Sequence, residues 1–325
     1  MKTEMKPKVF ITRRIPEEAF QIVAEHCEID IWDEEERPVP RGVLVEAVSS
    51  IDGLFCLLTD RVDEELLNAA PRLRIVANMA VGYDNIDVKA CARRGVMVTN
   101  TPGVLTETTA DLAFGLLLAV ARRIPEAERK LLEGGWKTWS PMFMAGRDVY
   151  GATLGIIGMG RIGQAMARRA RGFSMKVLYW SRNRDAQVEE ELGVEYRSLY
   201  DLLRESDFVT LHVPLNSDTR GLIGEREISL MKPTAVLINT ARGPIVDRDA
   251  LYRALVSGRI WGAGLDVYDV EPADPSDPLL NLDNVVALPH IGSATVETRT
   301  RMAVMAAENL VAGLSGRIPP NLVEA

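Results

Sequence analysis

The stretch TLGIIGMGRIGQAMARRARGF, followed shortly by KVLYW, constrains the fold of this chain more than any other. An apolar run of strand length ends on Gly158, glycines recur at Gly160 and Gly163, and an Ala-rich helical pattern leads to a second strand-like run. Glycines also mark ordinary tight turns, so the spacing alone carries little weight. Inside a strand-helix-strand unit it reads as a dinucleotide-binding turn. Glycine is needed there because backbone must approach a pyrophosphate closely. The helix starting near Arg161 offers unpaired N–H groups and the positive end of its dipole.

The rest of the chain repeats this alternation. KVFIT, EIDIW, GLFCLL, RIVANM and VMVTN read as a first series of strands, with PEEAFQIVAEH and VDEELLNAA as helices between them. TLGIIG, KVLYW, FVTLHVP, AVLINT and GAGLDV form a second series. Such alternation predicts parallel sheets, and 325 residues exceed the usual size of one hydrophobic core, so two α/β domains are expected. Between the series, TNTPGVLTETTADLAFGLLLAVARRI predicts a long helix with Thr108 as N-cap and Asp111 three residues on. A second amphipathic helix, VETRTRMAVMAAENLVAGLSG, is expected to return the chain to the first lobe, leaving a ligand cleft between lobes.

Composition limits the partners. A formal charge of −8 leaves no basic footprint for nucleic acid or an anionic membrane. The apolar run Leu112 to Ala121 is too short to cross a bilayer, and MKTEMKPKVF lacks the apolar core of a signal peptide, so a cytoplasmic protein is expected. Cys27, Cys56 and Cys91 have no C-x-x-C spacing, which suggests small buried thiols rather than disulfides or a metal site.

An NAD fingerprint expects Asp or Glu about 20 residues beyond the glycines, on the ribose hydroxyls. Here KVLYW ends on Ser181, followed by Arg182, Asn183, Arg184 and Asp185. A carboxylate would repel the extra phosphate of NADP, whereas Ser181 can donate to it and the two arginines can neutralise it. Missing acid and added base together favour NADP(H). The alternative, NAD(H), makes both arginines solvated surface charges and Asp185 a displaced ribose ligand.

The chain has three histidines. His26 ends a surface-type helix, and His212 closes the strand in TLHVP. His290, in VVALPHIGSAT, lies where a strand gives way to a loop and is the candidate proton donor. Arg242, after AVLINT, and Glu271, after GLDVYDV, lie in comparable loops, where ligands bind in parallel α/β folds. Reduction of a ketone by hydride needs a proton for the alkoxide, a cation for a substrate carboxylate and an acid to tune the donor. These three residues supply those chemistries, with a structural ion pair as the alternative for Arg242 and Glu271.

ANMAVGYDNIDV, TNTPGVLTETTADLA, GIIGMGRIGQ, LHVPL, LINTARGPIVD, GAGLDVYDVEP and PHIGSAT resemble, in order, the motifs of the D-isomer-specific 2-hydroxyacid dehydrogenases. VGYDNIDV, YWSRNR and IPPNLV are most similar to its glyoxylate reductase/hydroxypyruvate reductase branch. The resemblance implies a homodimer whose subunits have two flavodoxin- or Rossmann-like parallel-sheet domains joined by two crossovers. Residues 1–100 plus 290–325 would bind substrate, and 101–289 the dinucleotide.

The resemblance also implies site roles. His290 would be the general acid, hydrogen-bonded to Glu271, which favours its protonated form. Arg242 would bind substrate carboxylate and carbonyl oxygens, and the N–H groups of Val81 and Gly82 the other carboxylate oxygen. Leu57 and Leu58 would wall the methyl-sized end of the pocket, with Ser293 near the substrate. Trp139 would reach the partner subunit's site, simple interface packing being the alternative. Gly158, Met159, Gly160, Arg161, Ile162, Gly163, Ser181, Arg182, Asn183 and Arg184 would line the cofactor. So would Val213, Pro214, Thr219, Thr240, Ala241, Arg242, Asp266, His290 and Gly292, with Asp266 and the Thr240 backbone on the nicotinamide carboxamide.

Phosphite dehydrogenases of the family carry lysine where this chain has Val81, and formate dehydrogenases lack an acid at the position of Glu271, so both activities are disfavoured. The expected reaction is reduction of glyoxylate and hydroxypyruvate by NADPH. The alternatives are an NAD-linked dehydrogenase of another D-2-hydroxy acid and a dinucleotide-sensing corepressor from the same family.

Overall fold

The computed structural model describes residues 6–324, so the charged start MKTEM lies outside the described residues. The chain divides into two compact units, one made of the described residues up to Leu105 and from Ala294 onward, the other of Thr106–Ser293.

The first unit contains Lys8–Ile11 (β1), Glu28–Ile31 (β2), Gly53–Cys56 (β3), Ile75–Asn78 (β4) and Met97–Thr99 (β5), the five strands of the first series. They form a parallel sheet in the order β2-β1-β3-β4-β5. Glu17–His26 (α1), Arg41–Ala47 (α2), Glu64–Ala69 (α3), Val88–Arg93 (α4) and the C-terminal helix Val296–Leu314 cover it. The two-residue period of the strands sorts the core. Val9, Ile11, Phe55 and Ile75 pack with α1 and the C-terminal helix, while Phe10, Leu54, Cys56 and Val76 pack beneath α2, α3 and α4. Asp63 and Asp87 start α3 and α4 by accepting the N–H groups of Leu66 and Ala90. All three cysteines are buried, free thiols.

The second unit opens with Thr106–Ala121 (α5) and Ile124–Leu132 (α6). Then come Thr153–Ile157 (β6), Arg161–Gly172 (α7), Lys176–Trp180 (β7), Ala186–Leu192 (α8), Glu195–Tyr196 (β8), Leu199–Glu205 (α9) and Phe208–Leu211 (β9). Glu225–Leu230 (α10), Val236–Asn239 (β10), Arg248–Val256 (α11), Gly262–Leu265 (β11) and Val285–Ala287 (β12) complete it. Its seven strands are parallel in the order β12-β11-β10-β9-β6-β7-β8. The direction of winding reverses between β6 and β9, and in such sheets ligands bind beyond the carboxyl ends of the strands at that reversal.

Two local expectations need correction. Thr108 is not an N-cap, because α5 already begins at Thr106, straight out of the turn at Val104 and Leu105. Asp111 is used sideways instead, its carboxylate meeting Arg169 of α7 at 2.8 Å. The short strand β8 went unread, since two residues, Glu195 and Tyr196, carry no periodic pattern. Residues 133–152 contain no helix or strand and leave Trp136, Trp139, Met142 and Tyr150 exposed. Among the described residues no helix is long and apolar enough to cross a membrane.

Candidate active site

In the second unit, Gly158 follows β6, Ser181 follows β7, His212 follows β9, Arg242 follows β10, Glu271 follows β11 and His290 follows β12. Because these strands run parallel, all six residues leave the sheet along one edge.

Sterics explain the glycines at this edge. Gly158 has φ +101°, and a Cβ on it would lie 2.7 Å from the carbonyl carbon and oxygen of His212, so the loops after β6 and β9 touch there. A Cβ on Gly163 would lie 2.1 Å from the carbonyl oxygen of Gly158, which fixes the approach of α7 to the turn. Gly160, the N-cap of α7, has nothing within 4 Å of a built Cβ and so leaves open space before the helix. No side chain caps α7, which keeps its first N–H groups available to an anion. Met159 is buried, and its N–H donates to Ser181 Oγ at 3.2 Å, tying the end of β7 to the turn. Arg161 is exposed and Ile162 half-buried.

The arginines beyond β7 are unequal. Arg184 donates through Nε and Nη2 to both oxygens of Glu189 on α8, at 2.8 Å each, and Tyr179 donates its hydroxyl to the same carboxylate. Arg182 and Asn183 are exposed, and Arg182 has no ion pair among the described residues. Asp185 is occupied as the N-cap of α8, accepting the N–H groups of Gln187 and Val188 at 3.1 Å. A displaced ribose ligand at Asp185 would have to give up that cap.

His212 and His290 differ in kind. The His212 ring lies 2.9 Å from Thr210 Oγ1, and burial pushes its pKa down to about 3, so it stays neutral near pH 7. His290 Nδ1 lies 2.6 Å from Glu271 Oε2, while Glu271 Oε1 accepts the Tyr268 N–H at 3.0 Å. Burial acts to raise the Glu271 carboxyl, but the hydrogen bond and charge of His290, then the Tyr268 N–H and Arg242, hold it below its ordinary value. The ionised carboxylate therefore accepts from Nδ1–H, which leaves Nε2 as the acceptor or second donor on the opposite edge of the ring. Tyr268 donates its hydroxyl to Leu288 O at 2.8 Å, and Asp266 Oδ1 accepts the Ile291 N–H at 2.8 Å, so the loops after β11 and β12 are braced on both sides of His290.

Arg242 is set by its neighbours. Asn239 Nδ2 donates to Arg242 O at 2.9 Å, and Asn239 Oδ1 accepts the Ala241 N–H at 3.0 Å. A Cβ on Gly243 would lie 2.0 Å from the carbonyl carbon of Tyr268, so only glycine lets the loop after β10 meet the loop after β11. Asn239 and Tyr268 escaped the sequence reading. Their only signal was a polar residue closing an apolar strand and an aromatic within the GLDVYDV loop. Thr219 is buried and donates to Pro214 O at 2.6 Å, bracing the segment that carries half-buried Val213 and exposed Pro214.

Two buried polar atoms at this edge, Thr240 Oγ1 and Asp266 Oδ2, have no hydrogen-bond partner among the described residues. Asp266 is fully buried, and that burial raises its carboxyl above the usual range. Buried polar atoms left this way call for a ligand or water. Gly292 is buried beside Asp266, a built Cβ lying 3.2 Å from Oδ2, and Ser293 is half-buried.

In the first unit, Leu57 is half-buried and Leu58 exposed beyond β3. Beyond β4, Asn78 Nδ2 donates to Gly82 O at 2.9 Å and Asn100 Nδ2 to Val81 O at 2.8 Å. The carbonyls of Val81 and Gly82 are thus held, while neither N–H donates a hydrogen bond among the described residues.

The profile of the D-isomer specific 2-hydroxyacid dehydrogenase NAD binding domain matches residues 114–292. The chain belongs to this family. A glyoxylate reductase of Korarchaeum cryptofilum is 59% identical over 320 residues, 98% of this chain and 96% of the relative. Among solved structures, a Thermus thermophilus protein is similar at TM-score 0.91 and 45% identity, covering 98% of this chain and all of that one. An NADPH-dependent glyoxylate/hydroxypyruvate reductase of Sinorhizobium meliloti, solved with NADP and malonate, reaches TM-score 0.84 at 35% identity, covering 98% and 97% of the two chains. The dehydrogenase is thus an oxidoreductase with a Rossmann-like, dinucleotide-binding second unit. Its residues fit that cofactor: the open space at Gly160 and the uncapped α7 suit a pyrophosphate, and Thr240 Oγ1 and Asp266 Oδ2, without a hydrogen-bond partner among the described residues, suit polar groups of a bound ligand.

Proposed function

We propose that this dehydrogenase reduces glyoxylate and hydroxypyruvate to their 2-hydroxy acids with NADPH as the preferred donor. The observation that carries the reading is the pairing of His290 with the ionised carboxylate of Glu271 at 2.6 Å, in a chain 59% identical to a glyoxylate reductase. A bound reduced nicotinamide supplies the hydride. His290 gives the proton from Nε2 to the carbonyl oxygen as it becomes an alkoxide, and Glu271 fixes the ring by accepting its Nδ1–H. Arg242 holds the carboxylate and polarises the carbonyl, which lowers the barrier through both orientation and charge. Asp266 and the Thr240 backbone orient the carboxamide. In the first unit, Val81 and Gly82 offer their N–H groups to a carboxylate oxygen, and Leu57 and Leu58 exclude water and bulky side chains.

NADPH preference is supported by Ser181 in place of an acid and by the Arg182 guanidinium, which has no ion pair among the described residues. The pairing of Arg184 with Glu189 favours a second reading, efficient use of NADH. Loss of reduced-cofactor absorbance with glyoxylate, comparing kcat/KM for NADPH and NADH under identical conditions, decides between them. Absence of turnover with either would sink the glyoxylate assignment and advance another 2-oxo acid. Self-association through the exposed apolar residues of α6 and the following segment, including Trp139, completes the proposal.

A further inference from the structure

Asp60 lies in the first unit, buried to 3% exposure, in the loop LLTDR that follows β3. One of its oxygens, Oδ2, accepts both Thr12 Oγ1, from the end of β1, at 2.5 Å and the N–H of Leu57 at 2.8 Å. The Asp60 N–H donates back to Leu57 O at 3.1 Å, closing a tight turn around Leu58 and Thr59. Asn85 joins the same turn, its Nδ2 donating to Leu57 O at 3.1 Å and Asp60 O at 2.9 Å. Its own carbonyl accepts the Val62 N–H at 2.9 Å. A carboxylate is costly to bury, and burial pushes the Asp60 carboxyl upward against the hydrogen bonds from Thr12 and Leu57. An apolar residue would avoid that cost, but it would leave the Thr12 hydroxyl and Leu57 N–H buried without an acceptor.

We infer that Asp60 is a positioning residue for substrate: by gathering Thr12 and the Leu57 N–H on one oxygen, it fixes where Leu57 and Leu58 stand. The inference rests on the proposed assignment of Leu57 and Leu58 to the substrate. Asp60 touches no reacting atom. It acts through the turn, and Asn85 extends the bracing to the segment carrying Val81 and Gly82. A displacement of about 1 Å in such a wall is enough to change substrate handling by an order of magnitude or more.

The test compares Asp60→Ala, Asp60→Asn and Leu58→Ala in the full chain, with glyoxylate as variable substrate at saturating NADPH and with thermal melting measured alongside. Asp60→Ala is expected to raise KM for glyoxylate by about tenfold, with a smaller loss in kcat and an unchanged KM for NADPH. Asp60→Asn keeps an oxygen that can accept both hydrogen bonds and should return KM most of the way to the wild-type value. Lowered melting temperature and kcat at unchanged KM in Asp60→Ala would overturn the inference, leaving Asp60 a purely structural residue. An asparagine variant as impaired as alanine would overturn it too, since the accepted hydrogen bonds would then not be what matters. Leu58→Ala separates the two layers. If it leaves glyoxylate KM unchanged, the assignment of this loop to substrate fails, and if it alters KM while Asp60→Ala does not, only the role of Asp60 fails.

Discussion

His290 Nδ1 meets Glu271 Oε2 at 2.6 Å from a left-handed backbone, φ +53° at His290. A non-glycine residue there costs roughly 1–2 kcal/mol, so the ring is held by its surroundings against the preference of its own backbone. His290→Ala should lower kcat for glyoxylate reduction by about 10²–10⁴-fold while leaving dinucleotide affinity, read by fluorescence titration, nearly intact. Full turnover in that variant would remove His290 from the role of acid.

Glu271→Gln should keep much of the geometry and lose the charge. Glyoxylate reduction near neutral pH should slow, because the Nδ1–H of the ring no longer faces a charged acceptor. Stability gives a second reading with a definite sign. The folded Glu271 carboxyl is held below its ordinary 4.5, so its contribution is fully present above that value and lost as pH falls through the lower folded one. The gap in denaturation midpoint between wild type and Glu271→Gln should therefore be constant near neutrality and shrink in acid. A gap that widens in acid contradicts the assignment.

Gly160 and Gly163 separate cofactor binding from folding. A methyl group on Gly160 meets nothing within 4 Å, so Gly160→Ala should fold normally yet weaken dinucleotide binding by filling the space before α7. On Gly163 the methyl would strike the Gly158 carbonyl oxygen, backbone that has nowhere to go, so Gly163→Ala should cost about 1–3 kcal/mol of stability. Urea denaturation and a dinucleotide titration on both variants check this. Equal effects on binding and stability would mean that Gly160 does not face the cofactor.

Arg182→Ala should raise KM for NADPH by about tenfold, the cost of losing one charge-assisted contact, and KM for NADH hardly at all. Arg184→Ala should do less, because its fork already engages Glu189. Should the two cofactors respond equally to Arg182→Ala, that guanidinium does not contact the extra phosphate.

Leu132 is 79% exposed and Trp139 78% exposed, an apolar pair on the surface of α6 and the segment after it. The double variant Leu132→Glu, Trp139→Glu should lower the mass measured by light scattering to that of one chain. A mass that the double variant leaves unchanged would remove Leu132 and Trp139 from the proposed self-association.

Much of the edge that carries the site was legible because parallel α/β folds put ligand residues after strand ends. GLDVYDV, AVLINT and VVALP each display a strand end in the sequence, and Glu271, Arg242 and His290 follow within two residues. What holds them was not legible. Tyr268 bonds to Leu288 across 20 positions and Asp266 to Ile291 across 25, and no local pattern links such residues. Asp60 was hidden for the same reason, since its partner Thr12 lies 48 positions away. Thr108 failed as a cap because the turn at Val104 and Leu105 starts α5 at Thr106, two residues earlier, so Thr108 lies inside the first turn of the helix.

The sequence by itself determined the backbone chemistry: where apolar strands end, where glycine admits a positive φ or a close carbonyl, and which side chains stand beside those places. These are short-range consequences of sterics and of two-residue and helical periodicity. Only the tertiary structure decided which of two similar groups is engaged. Arg182 and Arg184 read alike as neighbours in YWSRNRD, yet α8 brings Glu189 to Arg184 alone. His212 and His290 both follow strands, but burial keeps the first neutral, while Glu271, 19 positions away in the chain, gives the second a carboxylate partner. Charge and protonation depend on distances between elements, and those distances exist only once the chain has packed.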